Sequence, residues 1–180
     1  MQQDVRESLA AAEVYVRYCT SETEKAALLF TYLAERFPYQ QGDSRTPVYS
    51  ALCQGVANSK SMAQSWQLLC DEAGLSCRTV SGLRGGEAYW WNIVTLDGVS
   101  CHVDVLRDLL DGSTLRLRYD EDMAGGYYWD AEDVPACPAP APEEEEPEAP
   151  APTEDQPASE DPAEDPAETP EAQPTEPETS

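Results

Sequence analysis

Residues capable of chemistry are few in this chain, and their spacing limits what they can do. Cys53, in Cys53-Gln54-Gly55, is a possible thiolate nucleophile. Such a thiolate needs a base, and His102 is the only histidine. In His102-Val103-Asp104 the imidazole and carboxylate lie two residues apart. On a strand they share a face, ~6.6 Å between α-carbons, a spacing at which the carboxylate could orient the ring. Ser59-Lys60 has the residue types of a serine–lysine pair, but adjacent side chains on a helix diverge. The six cysteines (19, 53, 70, 77, 101 and 137) contain no C-x-x-C spacing, so no metal site is expected. They allow 15 disulfide pairings in principle, a count of roughly that size for any six thiols. Cys70 and Cys77 flank Gly74 and could bridge, although Cys70 also continues an apolar helix face and suits a buried thiol. No cofactor motif is present: the glycine-containing run LRGGE at 83–87 lacks the Lys-Ser/Thr of a phosphate loop.

The elements that must position these residues are legible around them. A helix begins near Asn58 and Ser59, with Met62, Trp66, Leu69, Cys70 and Ala73 on one face. Gly74 ends it, where a left-handed residue is wanted. Serine fills a helix N-cap well, which gives Ser59 a purely structural reading. Three strand-like runs follow, Cys77 to Gly82, Ala88 to Leu96 and Val99 to Leu106, the last two joined by the hairpin signal Asp97-Gly98. Side chains alternate along a strand, so Tyr89 and Trp91 share a face and Trp90 takes the other. Upstream, helices are expected over about Asp4 to Tyr18 and from the capping box Ser21-x-x-Glu24 to Pro38. Gly42 to Pro47 reads as a polar loop and Thr46 to Gly55 as the approach to the central helix. Arg107 to Tyr119 reads as a connector, Asp120 to Met123 as a short acid-capped turn, and Gly125-Gly126 as the lead into a closing aromatic strand.

The run Ala51 to Leu75, ALCQGVANSKSMAQSWQLLCDEAGL, resembles the nucleophile segment of the bacterial transglutaminase-like (papain-like) superfamily. The match uses Ala51-Leu52, Gly55, Ala57, Ala63, Leu68-Leu69 and Ala73-Gly74-Leu75 without a gap. The family's H-x-W-N strand is similar to Tyr89-Trp90-Trp91-Asn92, and its H-V-D strand to His102-Val103-Asp104. Asp120-Glu121-Asp122-Met123, Tyr128-Trp129-Asp130 and Val134-Pro135-Ala136-Cys137-Pro138 look like its closing signatures. Together these cover roughly residues 21 to 138. The resemblance implies an α+β, papain-like fold with a central helix packed on an antiparallel sheet.

It also implies a degenerate catalytic set. Ser59 stands where the family keeps its cysteine, Tyr89 where it keeps its histidine, and Asp104 is retained. A cysteine at a helix N-terminus has its thiolate stabilised by the dipole and by an adjacent imidazolium. The imidazole then protonates the leaving amine, and the carboxylate orients it. Serine would need a strong base, and a tyrosine titrating near pH ~10 cannot supply one near neutrality. The alternative enzyme would use Cys53 with His102. Placing Cys53 as the nucleophile shifts the helix by six residues, ~9 Å along its axis, and breaks the match at Ala73-Gly74-Leu75. Family members that possess the triad histidine often carry His102 as well, which gives it a structural reading. The expected function is a non-catalytic module in a surface protein, binding peptide or cell-wall polymer through Tyr89, Trp91 and Asn92, in an aromatic-lined cleft beside the helix N-terminus.

The resemblance implies an N-terminal helix over 1–20 and a transglutaminase-like domain over 21–137, and composition sets off a tail over 138–180. The tail holds 12 of the 15 prolines and 15 of the 35 acidic residues, with no lysine, arginine, aromatic or large aliphatic side chain. It cannot bury a core and is expected to be a disordered spacer, extended by proline and like charge. Residues 1–137 keep 20 acidic against 11 basic residues, within a total net charge of −24. Acidity in both parts argues against nucleic acid or an anionic membrane surface as a partner. No apolar stretch approaches spanning length, and residues 1–16 lack a signal-peptide pattern. The family's frequent occurrence on bacterial surfaces implies a surface setting nonetheless.

Overall fold

The computed structural model describes residues 2–140; the acidic run expected to form the spacer lies almost wholly outside them. Helix α1 (Gln2–Val16) and helix α2 (Glu22–Arg36) come first. Ser21 caps α2 by accepting from the Glu24 amide, and the Glu24 carboxylate reaches back to the Thr20 amide at 3.2 Å. The short strand β1 (Gln40–Gln41) pairs in parallel with β2 (Val56–Ala57). Between them Val48–Cys53 forms a helix, α3, in the stretch expected only to lead into the central helix.

The central helix α4 spans Ser59–Glu72. Its cap is Asn58 rather than Ser59. The Asn58 carboxamide accepts from the Ser61 amide at 2.8 Å, and the Ser61 hydroxyl accepts from the Asn58 amide at 3.0 Å. Gly74 follows the helix with φ of 73°, and the Leu75 amide returns to the Cys70 carbonyl at 2.8 Å.

Strands β3 (Ser76–Arg84), β4 (Glu87–Leu96) and β5 (Val99–Val103) form an antiparallel sheet. Asp97 and Gly98, at φ 52° and 86°, make the β4–β5 turn, while Gly85-Gly86 makes the β3–β4 turn. Strand β5 stops at Val103, short of the expected Leu106. Asp104 turns the chain and caps helix α5 (Val105–Leu110), accepting from the Arg107 amide at 3.1 Å. The connector that follows carries Arg118, bridged by backbone hydrogen bonds in both directions to His102. Helix α6 (Asp120–Met123) and strand β6 (Tyr127–Tyr128) close the domain, giving the sheet order β5-β4-β3-β6.

Alternation along β4 separates two cores. Helices α1, α2 and α4 pack Ala12, Leu29, Leu33, Trp66 and Leu69 against Val94 and Val103. A smaller cluster joins Val80, Trp91 and Ile93 to Met123, Tyr127 and Cys137. Gly82 is required here: a Cβ would collide with the Tyr128 carbonyl and sit 2.8 Å from the Trp91 ring.

Candidate functional site

Asp104 is the centre of the polar arrangement on the smaller core. It is 1% exposed, yet its carboxylate is fully engaged. Oδ1 accepts from the Tyr89 hydroxyl at 3.1 Å and Oδ2 from the Tyr127 hydroxyl at 2.6 Å. Each phenol in turn accepts from a guanidinium: Tyr89 from Arg84 Nη1 at 3.4 Å, and Tyr127 from Arg107 Nη1 at 3.3 Å. Two relays therefore converge on one buried carboxylate. Burial, and next the charge of Asp104, push both phenols above their ordinary range, so both stay protonated at neutral pH.

Outside the two phenols lies an open cleft of about 700 Å³. Its floor is Tyr89 and Tyr127; Arg84 stands over them and Arg107 lines one side. Its edges are the turns Gly85-Gly86 and Gly125-Gly126, with Tyr128 61% exposed beside them. The Arg84 guanidinium stacks 5.1 Å from the Tyr89 ring centre and 5.5 Å from that of Tyr127.

Of the residues expected to hold a ligand, only Tyr89 lines this cleft. Trp91 and Asn92, expected there, are each 1% exposed and belong to the interior. Trp91 points into the smaller core, where its Nε1 donates to His102. Asn92 lies on the other sheet face, and its Nδ2 donates to the Ala63 carbonyl at 2.9 Å, tying α4 to β4. The pleat that puts Tyr89 and Trp91 on one side does not make both accessible. Ser59 is buried, and among the described residues its hydroxyl makes no hydrogen bond. Tyr89 and Asp104 are thus in contact with each other, while Ser59 hydrogen-bonds to neither.

His102 and Cys53 occupy different surroundings. His102 is fully buried; Nδ1 accepts from Trp91 Nε1 at 3.0 Å, and Nε2 lies 2.9 Å from Asp120 Oδ1. The indole can only donate, so the imidazole hydrogen sits on Nε2 and is given to Asp120. Neither nitrogen is left to take a proton from a thiol. Desolvation holds the imidazole below its ordinary pKa despite the opposing pull of Asp120. Cys53 ends α3, packs on the larger core and has Arg36 and Asp4 as its charged neighbours. Burial raises its thiol pKa, the opposite of what a nucleophile needs.

His102, Asp120 and Cys137 bring one donor atom each within 4.8 Å, a grouping that could be read as a cation site. The hydrogen-bond chemistry fits poorly. Metal at Nε2 would require the hydrogen on Nδ1, where it would oppose the Trp91 N–H. The remaining Asp120 oxygen accepts from the Cys137 amide at 2.9 Å, and burial pushes the Cys137 thiol up to about 12. The three residues form a latch that pins the chain around Cys137 to the sheet.

The model of the transglutaminase-like superfamily matches residues 10–105, more than half of the chain. The chain belongs to the transglutaminase-like superfamily. Among solved structures, a candidate cysteine protease from Cytophaga hutchinsonii aligns with a TM-score of 0.47 at 10% identity, over 69% of this chain and 46% of that one. A candidate protease from Parabacteroides distasonis gives 0.45 at 14%, over 54% and 22%. A TGase gives 0.46 at 13%, over 57% and 30%. The chain spans less than half the length of each. No curated protein matches it significantly. Within this transglutaminase-like domain, Arg84, Arg107 and Tyr127 are the cleft residues that the sequence did not single out. Tyr127 follows Gly125-Gly126, but nothing in its spacing ties it to Asp104.

Proposed function

We propose that this transglutaminase-like domain is a non-catalytic module that binds peptide in the cleft over Tyr89 and Tyr127, as part of a surface protein. The observation that carries the reading is the Tyr89–Asp104 hydrogen bond. The carboxylate that in the family would orient an imidazole here accepts from a phenol that stays protonated. Ser59, in the nucleophile's place, has no base in hydrogen-bond reach among the described residues. The open, tyrosine-floored cleft remains as a binding surface.

The competing reading, a cysteine protease or transamidase using Cys53 with His102, is disfavoured by the occupation of both imidazole nitrogens and by the raised thiol pKa. Iodoacetamide labelling at pH 7 separates the two. We expect all six thiols to react slowly in the folded protein, with Cys53→Ala changing nothing but the stoichiometry. One thiol reacting orders of magnitude faster, and lost in Cys53→Ala, would restore the enzyme.

A further inference from the structure

The cleft carries a charge without an anionic partner among the described residues. Arg107 pairs with Asp111 at 3.6 Å, but Arg84 makes no ion pair among the described residues. Its guanidinium lies against Tyr89 and Tyr127, and a single nitrogen is within hydrogen-bond distance of a described partner, the Tyr89 hydroxyl. The other N–H groups of the planar fork are free for a second acceptor, and a carboxylate matches that fork in a bidentate way. The phenols cannot do this work, because both donate inward to Asp104.

Resting on the peptide-binding reading, we propose that the cleft captures the free α-carboxylate of a peptide C-terminus, with Arg84 as the cation that holds it. The edges are open enough for a chain end to bring its carboxylate to Arg84. At Gly85, Gly86, Gly125 and Gly126 a Cβ would meet nothing within 4 Å, so both edges are low and open. A Glu or Asp side chain can carry its charge down past a high edge. An α-carboxylate is attached to the backbone, so the backbone itself must descend to Arg84, which low edges permit. Exposed Tyr128 offers an apolar wall for the last side chain of the ligand. Glu87, opposite Arg84 across the β3–β4 hairpin, also lines the cleft, and its charge opposes any anion there. The net charge of −24 repels anions at long range, so the selectivity has to arise from contact at Arg84.

Three probes titrated into the full chain by calorimetry test this: acetyl-Ala-Ala-Phe as the free acid, the same peptide as its amide, and acetyl-Glu-Ala-Phe amide. The free acid is expected to bind at least about ten-fold tighter than either amide. Arg84→Met should lower the acid to the level of its amide on the same variant, while Arg84→Lys recovers part of the difference. Equal binding of the acid and its amide would overturn the carboxylate site while leaving peptide binding intact. Equal binding of the acid and the Glu-bearing amide would show that a side-chain carboxylate suffices, and would overturn the chain-end assignment. Absence of binding by all three at millimolar concentration would overturn both this site and the peptide-binding reading. The acid–amide comparison is made on the unmodified protein, so it stands even if an Arg84 variant folds poorly.

Discussion

The Tyr127 hydroxyl donates to Asp104 Oδ2 at 2.6 Å, the shortest of the three bonds that hold this buried carboxylate. With Tyr89 on the other oxygen, the carboxylate accepts from two phenols. It clamps β6 and β4 to the start of α5.

Removing either phenol should leave the Asp104 charge short of a donor. We expect Tyr127→Phe to cost about 1–3 kcal/mol in urea denaturation, as for other buried acceptors deprived of a partner. Tyr89→Phe should cost less, since its bond is longer and its ring less buried. Equal, negligible losses in both variants would show that Asp104 is not held as described.

The cap of α4 makes a sharper contrast. Asn58→Ala should destabilise by about 1 kcal/mol, the usual loss of an N-cap. Ser59→Ala should stay within about 0.5 kcal/mol of the parent, because its hydroxyl has no partner among the described residues. The reverse order in chemical denaturation would return the cap to Ser59.

Protonation of His102 gives a pH signature. Its folded pKa lies below 6.5, so the unfolded chain takes up a proton first as the pH falls. This contribution to stability is fully present above pH 6.5 and is lost as the pH drops from there towards the folded pKa. Urea midpoints between pH 8 and 5 should decline over that interval, and His102→Gln should flatten the decline. An NMR titration placing the imidazole above 6.5 would contradict the buried, neutral ring.

Asp108 is fully buried and accepts from Arg118 and from the Arg116 amide, the latter at 3.0 Å. Asp108→Ala should cost about 3–5 kcal/mol by stranding the guanidinium. Removing both partners with Arg118→Met should recover part of that loss. A double variant as unstable as the sum of the singles would mean that the pair is not coupled.

Local rules in the sequence accounted for much of the fold. The apolar face of α4, the Gly74 exit, the Ser21–Glu24 cap and the Asp97-Gly98 turn each follow from neighbours within a few residues. The gapless match from Ala51 to Leu75, with the motifs at Tyr89–Asn92 and His102–Asp104 following in order, points to the family. Only the tertiary structure decided what the site residues touch. Pleating put Tyr89 and Trp91 on one side, but the packing of β6 and α6 left Tyr89 at the cleft and sealed Trp91 against His102. Asp97 likewise reaches across the fold to accept from the Glu22 and Thr23 amides, 75 and 74 residues away. The Arg84–Tyr89–Asp104–Tyr127–Arg107 arrangement draws on β3, β4, α5 and β6. Periodicity reports only which face a side chain occupies. Its partner across the sheet depends on register and on loops that bring distant segments together, and no local pattern encodes either.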